Sequence, residues 1–306
     1  MIANRVIVTL VLLPLLVLMG SCGKKPERAK TVESKPTVEE HQVKSGTKAG
    51  EKTTNPIDGA VMVWIPSGEF RMGTSDEELN SSVMSRHPDW IPTFYDLEKP
   101  QHTVNVDGFW MYKYEVTVKQ YRAFCRATNQ MMPSAPEWGW KDDHPIVDVT
   151  WQQAMDYAKW AGGTLPTEAQ WEKGARGTDA RIYPWGNSWD KTRCANSAGK
   201  HMQATRPVGS YPNGAGPYGT MDMAGNAWEW CYDWAENNYY STSPHDNPTG
   251  PASPTQVIMG KVVARRAMRG GSWYNDDAGY FRCSAREGGE PEITDNTSGF
   301  RCVVVP

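Results

Sequence analysis

Apolar and polar residues alternate through the first globular stretch of the chain. "AVMVWIPSGEFRMGT", Ala60 to Thr74, does so on both sides of a Pro-Ser-Gly turn, the pattern of a β-hairpin. "HTVNVDGFWMYKYEVTV", His102 to Val118, repeats the period-two signal. The period then lengthens. Thr117 is placed to cap a short helix with Val118, Tyr121 and Cys125 on one face. Thr150 with Gln153, and Thr167 with Gln170, are capping boxes in which each hydroxyl and each amide serves the other's backbone N–H. Ala154, Tyr157, Ala158 and Ala161 follow the second cap at helical spacing, and Gly162-Gly163 stops them. Beyond Gly177 only short strand signals remain, such as "RAMRGGSW" and "GFRCVVV". Two or three short helices set into a loop-rich mixed sheet predict an α+β domain, with no repeat and no second domain.

The upstream residues follow no such pattern. Met1 to Ser21 carries Arg5, an apolar run from Val6 to Met19 and the small pair Gly20-Ser21, the grammar of an export signal. That run is shorter than the roughly 20 residues that span a bilayer. Gly23 to Asn55 has no aromatic residue and is rich in Lys, Glu, Thr, Ser and Pro, a composition that cannot bury enough apolar area to order itself. The expected organisation is a signal at 1–21, a disordered tether at 22–56 and a folded domain at 57–306. The formal net charge of −3 leaves no basic surplus for nucleic acid. Besides Cys22 there are Cys125, Cys194, Cys231, Cys283 and Cys302, an odd number that leaves disulfide pairing open. No two are spaced like a zinc site, and the six histidines are scattered without ligand spacing.

Five separated segments, "LPTEAQWEKGARG", "YPWGN", "GTMDMAGNAWEWCYDW", "RGGSW" and "GFRC", resemble in that order the formylglycine-generating-enzyme superfamily. The resemblance implies a variant of the C-type lectin fold. It also implies, for the sulfatase-activating members, a copper ion held by two cysteines just after the "RGGSW" turn. Here that interval is Trp273 to Phe281, "WYNDDAGYF", and holds no Cys, so Cu(I) has no thiolate ligands and the chain is expected not to be an enzyme. Cys283 and Cys302 match two disulfide cysteines of those enzymes, but the matching partner positions are Ala158 and Ala175. A structural Ca²⁺ site is implied at Asp222, Gly225, Ala227 and Glu229, oxygen donors of the kind that suit the ion. No other cofactor is required.

The acylatable Cys22 after a small pair resembles a bacterial lipoprotein start, which implies an exported, lipid-anchored chain at the outer membrane or cell surface. The C-terminal frame, Arg269 to Trp273, Arg282-Cys-Ser-Ala-Arg286, Pro291 and Gly299-Phe-Arg301, resembles the variable lipoproteins of diversity-generating retroelements. In that branch adenine-directed mutagenesis diversifies AAC or AAT codons, and Tyr274, Asn275, Asp276, Gly279, Tyr280 and Phe281 all belong to the reachable set. The implied variable region is about 269–301. Its expected contact residues are Tyr274, Asn275, Asp276, Asp277, Gly279, Tyr280, Phe281, Glu287, Gly288, Gly289, Glu290, Glu292, Asp295 and Asn296. Tyr and Phe bring contact area at little rotamer cost while Asn, Asp and Gly adapt their hydrogen bonding, a paratope-like mixture. No catalytic residue is expected: Asp276 and Asp277, adjacent on a strand, would point to opposite faces. The resulting expectation is a membrane-held protein presenting a hypervariable site to a protein or glycan ligand. The alternatives are an oxidoreductase of the formylglycine-generating type and a structural lipoprotein of the same fold.

Overall fold

The computed structural model describes residues 43–79, 95–254, 257–258 and 261–306. The expected signal and Cys22 lie outside them. One four-stranded sheet is built from β1 (Lys52–Thr54), β2 (Val61–Ile65), β5 (Phe109–Tyr112) and β12 (Val303–Val304), in that order. β1 pairs with β2 antiparallel, so the sheet begins inside the segment expected to be tether. The Trp110 indole donates to the Lys44 carbonyl at 2.8 Å and Val43 packs on the core, which moves the folded boundary upstream of residue 57.

The expected hairpin at Ala60–Thr74 does not form. β2 pairs with β1 and β5, whereas β3 (Gly68–Met72) pairs with β4 (His102–Val106) in a separate sheet. Met62 to Ile65 are all buried, so β2 has a covered strand's neighbours on both edges. The chain leaves it through Gly68, whose φ of 131° only glycine adopts without strain.

The helices follow the sequence closely. α1 is a four-residue turn, Asp76–Leu79; α2 spans Val118–Thr128, α3 Trp151–Trp160 and α4 Glu168–Arg176. All three predicted capping threonines accept from the residue three places on, with the reciprocal glutamine bond present in each. α2 buries Val118, Tyr121, Phe124 and Cys125.

A second four-stranded sheet carries the C-terminal residues: β10 (Arg286–Gly289), β9 (Arg266–Arg269), β6 (Trp228–Trp234) and β11 (Ser298–Gly299). β7 (Val257–Ile258) and β8 (Lys261–Val262) pair antiparallel ahead of β9. On β9, the Arg266 guanidinium is sandwiched between the rings of Trp151 and Trp234, at 3.7 and 3.4 Å from their centroids.

The interior is unusually charged. Arg269 meets Glu168 and Glu172, Arg282 meets Glu98, Arg286 meets Glu168 and Arg301 meets Glu229, every one of these side chains almost fully buried. A buried ion costs several kcal/mol in lost solvation and is tolerated only with tight geometry and further hydrogen bonds. Those are present: Arg301 also donates to the Tyr112, Lys113 and Met221 carbonyls, and Arg286 to those of Leu97 and Glu236. All five described cysteines are buried and free, and no disulfide joins any of them.

Candidate ligand-binding face

The glycine pair after β9 sets the turn. Gly271 has a φ of 72°, and a Cβ there would meet the Phe281 ring at 3.0 Å. Ser272 and Trp273 are buried, and Tyr274 emerges with 58% of its surface exposed. Its ring lies edge-on to Trp273 and His201, centroids 5.7 and 5.8 Å away. Trp273 is wedged against Met202 and Ala195 and meets Trp138 edge-on at 5.4 Å. Asn275 turns inward: its Oδ1 accepts from the Ser272 N–H and hydroxyl, and its carbonyl accepts from Ser197 N–H. The turn is therefore rigid beneath an exposed aromatic.

The stretch that follows is a single 3₁₀ turn, Ala278–Phe281, instead of a strand. Asp277 caps it through Gly279 N–H at 2.7 Å. Two expected contact residues are thereby withdrawn. Phe281 is fully buried and stacks on Trp189, centroids 5.0 Å apart, and Gly279 is buried beneath Tyr95. The tight turn has a third-residue repeat, so positions expected to alternate outward rotate into the Tyr183–Trp189 cluster instead. Tyr280 is half-buried, edge-on to Trp228, while Asp276 is exposed.

The other expected residues sit across from that turn. Glu287, Glu290, Glu292 and Asp295 are exposed, and Gly288, Gly289 and Asn296 are half-buried. Glu287, Gly288, Gly289, Glu290 and Asp295 line one groove of about 320 Å³ whose floor is Trp228, Trp230 and Met268. The Asn296 carbonyl accepts the Trp273 indole N–H, joining this groove to the Tyr274 turn. Sequence reasoning missed the indole floor, because a "WEW" repeat on a strand resembles core packing. It also missed His201 and Met202, which lie in a segment without periodicity.

The expected calcium residues are only partly available. Both Glu229 oxygens are taken, Oε1 and Oε2 by Arg301 at 2.6 Å and Oε2 also by the Trp171 indole at 2.7 Å. The guanidinium fills the place an ion would need at that carboxylate. Gly225 donates its N–H to Gly270, and Ala227 is buried in the turn before β6. Asp222 accepts from Gly209 N–H, and burial raises its pKa to about 6. Next to it stands a residue the sequence did not disclose. Glu115 is 1% exposed, and neither of its oxygens has a hydrogen-bond donor. Burial first, then the neighbouring Asp222 and Glu229, push its pKa far up. Glu115 and Asp222 are neighbouring buried carboxylates that a shared proton or a cation would neutralise. For Ca²⁺ they supply only part of the roughly six to eight oxygens it takes, and no cluster of three or more His, Cys, Asp or Glu side chains suited to a metal occurs among the described residues.

Residues 47–305 match the sulfatase-modifying factor enzyme 1-like domain. The chain belongs to the sulfatase-modifying factor family. It is similar to the formylglycine-generating enzyme of Thermomonospora curvata, 32% identical over 80% of this chain and 93% of that one. Among solved structures, PvdO from Pseudomonas aeruginosa superposes with a TM-score of 0.66 at 26% identity, covering 84% of this chain and 99% of that one. Treponema denticola variable protein 1 superposes with a TM-score of 0.60 at 20% identity over the same shares, a likeness of fold.

Membership of this family corrects the expectation that the chain is not an enzyme. Formylglycine-generating enzymes match it at about the same identity over most of its length, from Thermomonospora curvata to Streptomyces coelicolor. The copper ligands of the resemblance are a separate matter, and the residues present do not fit them. Trp273 to Phe281 holds no Cys. Cys231 and Cys283 lie in one apolar cluster, Cys125 and Cys302 in a second and Cys194 in a third. Burial raises the Cys194 and Cys283 thiols to about 12, against the thiolate form that a soft metal takes.

Proposed function

We propose that the surface from Tyr274 to Asn296 is a ligand-recognition site of an exported protein anchored through Cys22, of the variable-lipoprotein type, taking a protein or glycan. One observation carries this: an exposed Tyr274 stands on a turn whose Ser272, Trp273 and Asn275 are held by part-buried hydrogen bonds. An aromatic held in place loses little entropy on association, which is how a small surface gains affinity. The exposed residues of the face are Asp276, Glu287, Glu290, Glu292 and Asp295; of these Asp276 belongs to the set reachable from AAC or AAT codons, whereas the three glutamates do not. The test is an array of glycans and extracellular proteins probed with the full chain and with Tyr274→Ala. Binding lost in the variant supports the site, and binding kept in full overturns it. A near-copy of the last hundred or so coding bases downstream, bearing AAC or AAT at the differing codons, supports the variable-lipoprotein assignment, and its absence removes that part.

A second reading, oxidation of a cysteine-bearing peptide, is favoured by the enzyme relatives. Oxygen uptake with such a peptide, measured with and without added copper, tests it directly. On either reading, a structural Ca²⁺ at the site the resemblance gave to Asp222, Gly225, Ala227 and Glu229 would take Asp222 with Glu115 in place of Glu229, its remaining ligands coming from backbone carbonyls or water.

A further inference from the structure

The groove beside the Tyr274 turn narrows the chemistry of the ligand. Its floor is the pair of indoles Trp228 and Trp230 with Met268, all on β6 and β9 and all nearly buried. Its rim is acidic, formed by Glu287, Glu290 and Asp295. A single cation, Arg265, lines it, with its Nη2 at 4.0 Å from Glu290, at the outer limit of an ion pair. Arg265 also acts on the Glu287 carboxylate, and Asp295 opposes it. Asp295 is oriented by the Thr297 N–H, the Thr297 hydroxyl and the Ser298 hydroxyl, neutral donors that leave its charge in place. Three carboxylates thus face one guanidinium over an aromatic floor.

We propose that this groove binds a cationic side chain, the ammonium of a lysine or the guanidinium of an arginine, presented by a polypeptide partner. The proposal rests on the binding face argued above and names what that face takes. The charges are complementary and the floor suits the group. A cation over an indole face gains about 0.5–1 kcal/mol when exposed and more when desolvated. The same sheet already holds one in this way, Arg266 between Trp151 and Trp234. Ile293, 58% exposed at the groove's edge, offers apolar contact for the methylene stem that such side chains lay along a surface. Desolvation by the groove wall raises the Glu287 pKa although its surface is open, Arg265 offsets this only in part, and an incoming cation favours the charged form. Uncharged sugars would leave that carboxylate as it is, so a glycan is the outcome to be distinguished.

The test uses the full chain and the blocked tripeptide glycyl-lysyl-glycine, its arginine counterpart and its norleucine counterpart, followed by the NMR signals of the Trp228 and Trp230 indoles. The expected result is saturable shifts with the lysine and arginine peptides and at least about fivefold weaker binding of the norleucine peptide, the scale of an exposed ion pair. The double variant Glu287→Gln with Glu290→Gln is expected to weaken the lysine peptide about fivefold or more, while Glu77→Gln, exposed on α1, leaves it unchanged. Equal binding of lysine and norleucine peptides overturns the proposal, as do unchanged affinity in the double variant and shifts with maltotriose but not lysine. If Tyr274→Ala abolishes capture of an array ligand that the double variant still binds, the face stands and the cation class falls. If Tyr274→Ala also has no effect, the recognition site itself falls.

Discussion

The Trp273 indole N–H donates to the Asn296 carbonyl at 3.0 Å, closing the turn after the glycine pair onto the loop before β11. Residues 23 positions apart thereby form one surface. Trp273→Phe keeps the apolar packing but removes the donor, leaving a carbonyl unpaired. The expected loss is about 1 kcal/mol of stability. Amide exchange of Tyr274 to Asp276 should also accelerate, which hydrogen-exchange mass spectrometry reads directly.

Two aromatics seven residues apart should respond in opposite ways. Tyr274→Ala is expected to leave the melting temperature unchanged and to remove about 2 kcal/mol or more of binding, the scale of an interface anchor. Phe281→Ala, emptying a site stacked on Trp189, should cost about 3–5 kcal/mol of stability. Denaturant titration of both, beside the array measurement, separates them.

Breaking the Glu229–Arg301 pair should be severe. Arg301→Met leaves a fully buried carboxylate facing only the Trp171 indole, and removing one partner of such a pair costs about 3–5 kcal/mol. Thermal unfolding of the variant reads the loss. The double variant with Glu229→Gln should recover part of it, since no unpaired charge remains.

Calcium should stabilise the chain through Glu115. At a free concentration about a hundredfold above the dissociation constant, the gain is about 2.7 kcal/mol. A chelator should reverse it, and Glu115→Gln should abolish it while raising the melting temperature of the chelated protein, because an orphaned buried carboxylate is gone. No calcium-dependent shift in the wild type removes the assignment.

Lys173 predicts a pH dependence. Burial lowers its pKa to about 8, although its Nζ donates to the Gly68 and Val106 carbonyls. Between about 8 and the ordinary 10.5 the unfolded chain holds more protons than the folded one, so this residue makes stability rise with pH across that window. The contribution is flat below it. Subtracting the Lys173→Met profile from the wild type should expose the slope, and parallel profiles would exclude it.

The helices were legible because their signals are local: a threonine, a glutamine three places on and a helical stripe decide each start. The strand partners were not. Ile65 and Gly68 flank what looks like a hairpin turn, yet their strands belong to different sheets, since pairing depends on β5 and β4, which come much later in the chain. In the candidate site the frame residues Trp273, Arg282, Arg286 and Arg301 are buried. Phe281 was misplaced because a 3₁₀ turn leaves no mark in the alternation of residue types. Glu115 escaped notice for another reason. Nothing in "KYEVTV" tells that the glutamate faces a second carboxylate contributed from Asp222.

Arg269, Arg282, Arg286 and Arg301 all reach back to acids made earlier, at Glu98, Glu168, Glu172 and Glu229. Without these arginines Glu98, Glu168 and Glu229 would lose the guanidinium partners that make their burial tolerable, while Glu172 would keep Arg176. Closure of the interior around those three glutamates is thus contingent on guanidiniums delivered by residues 269–301.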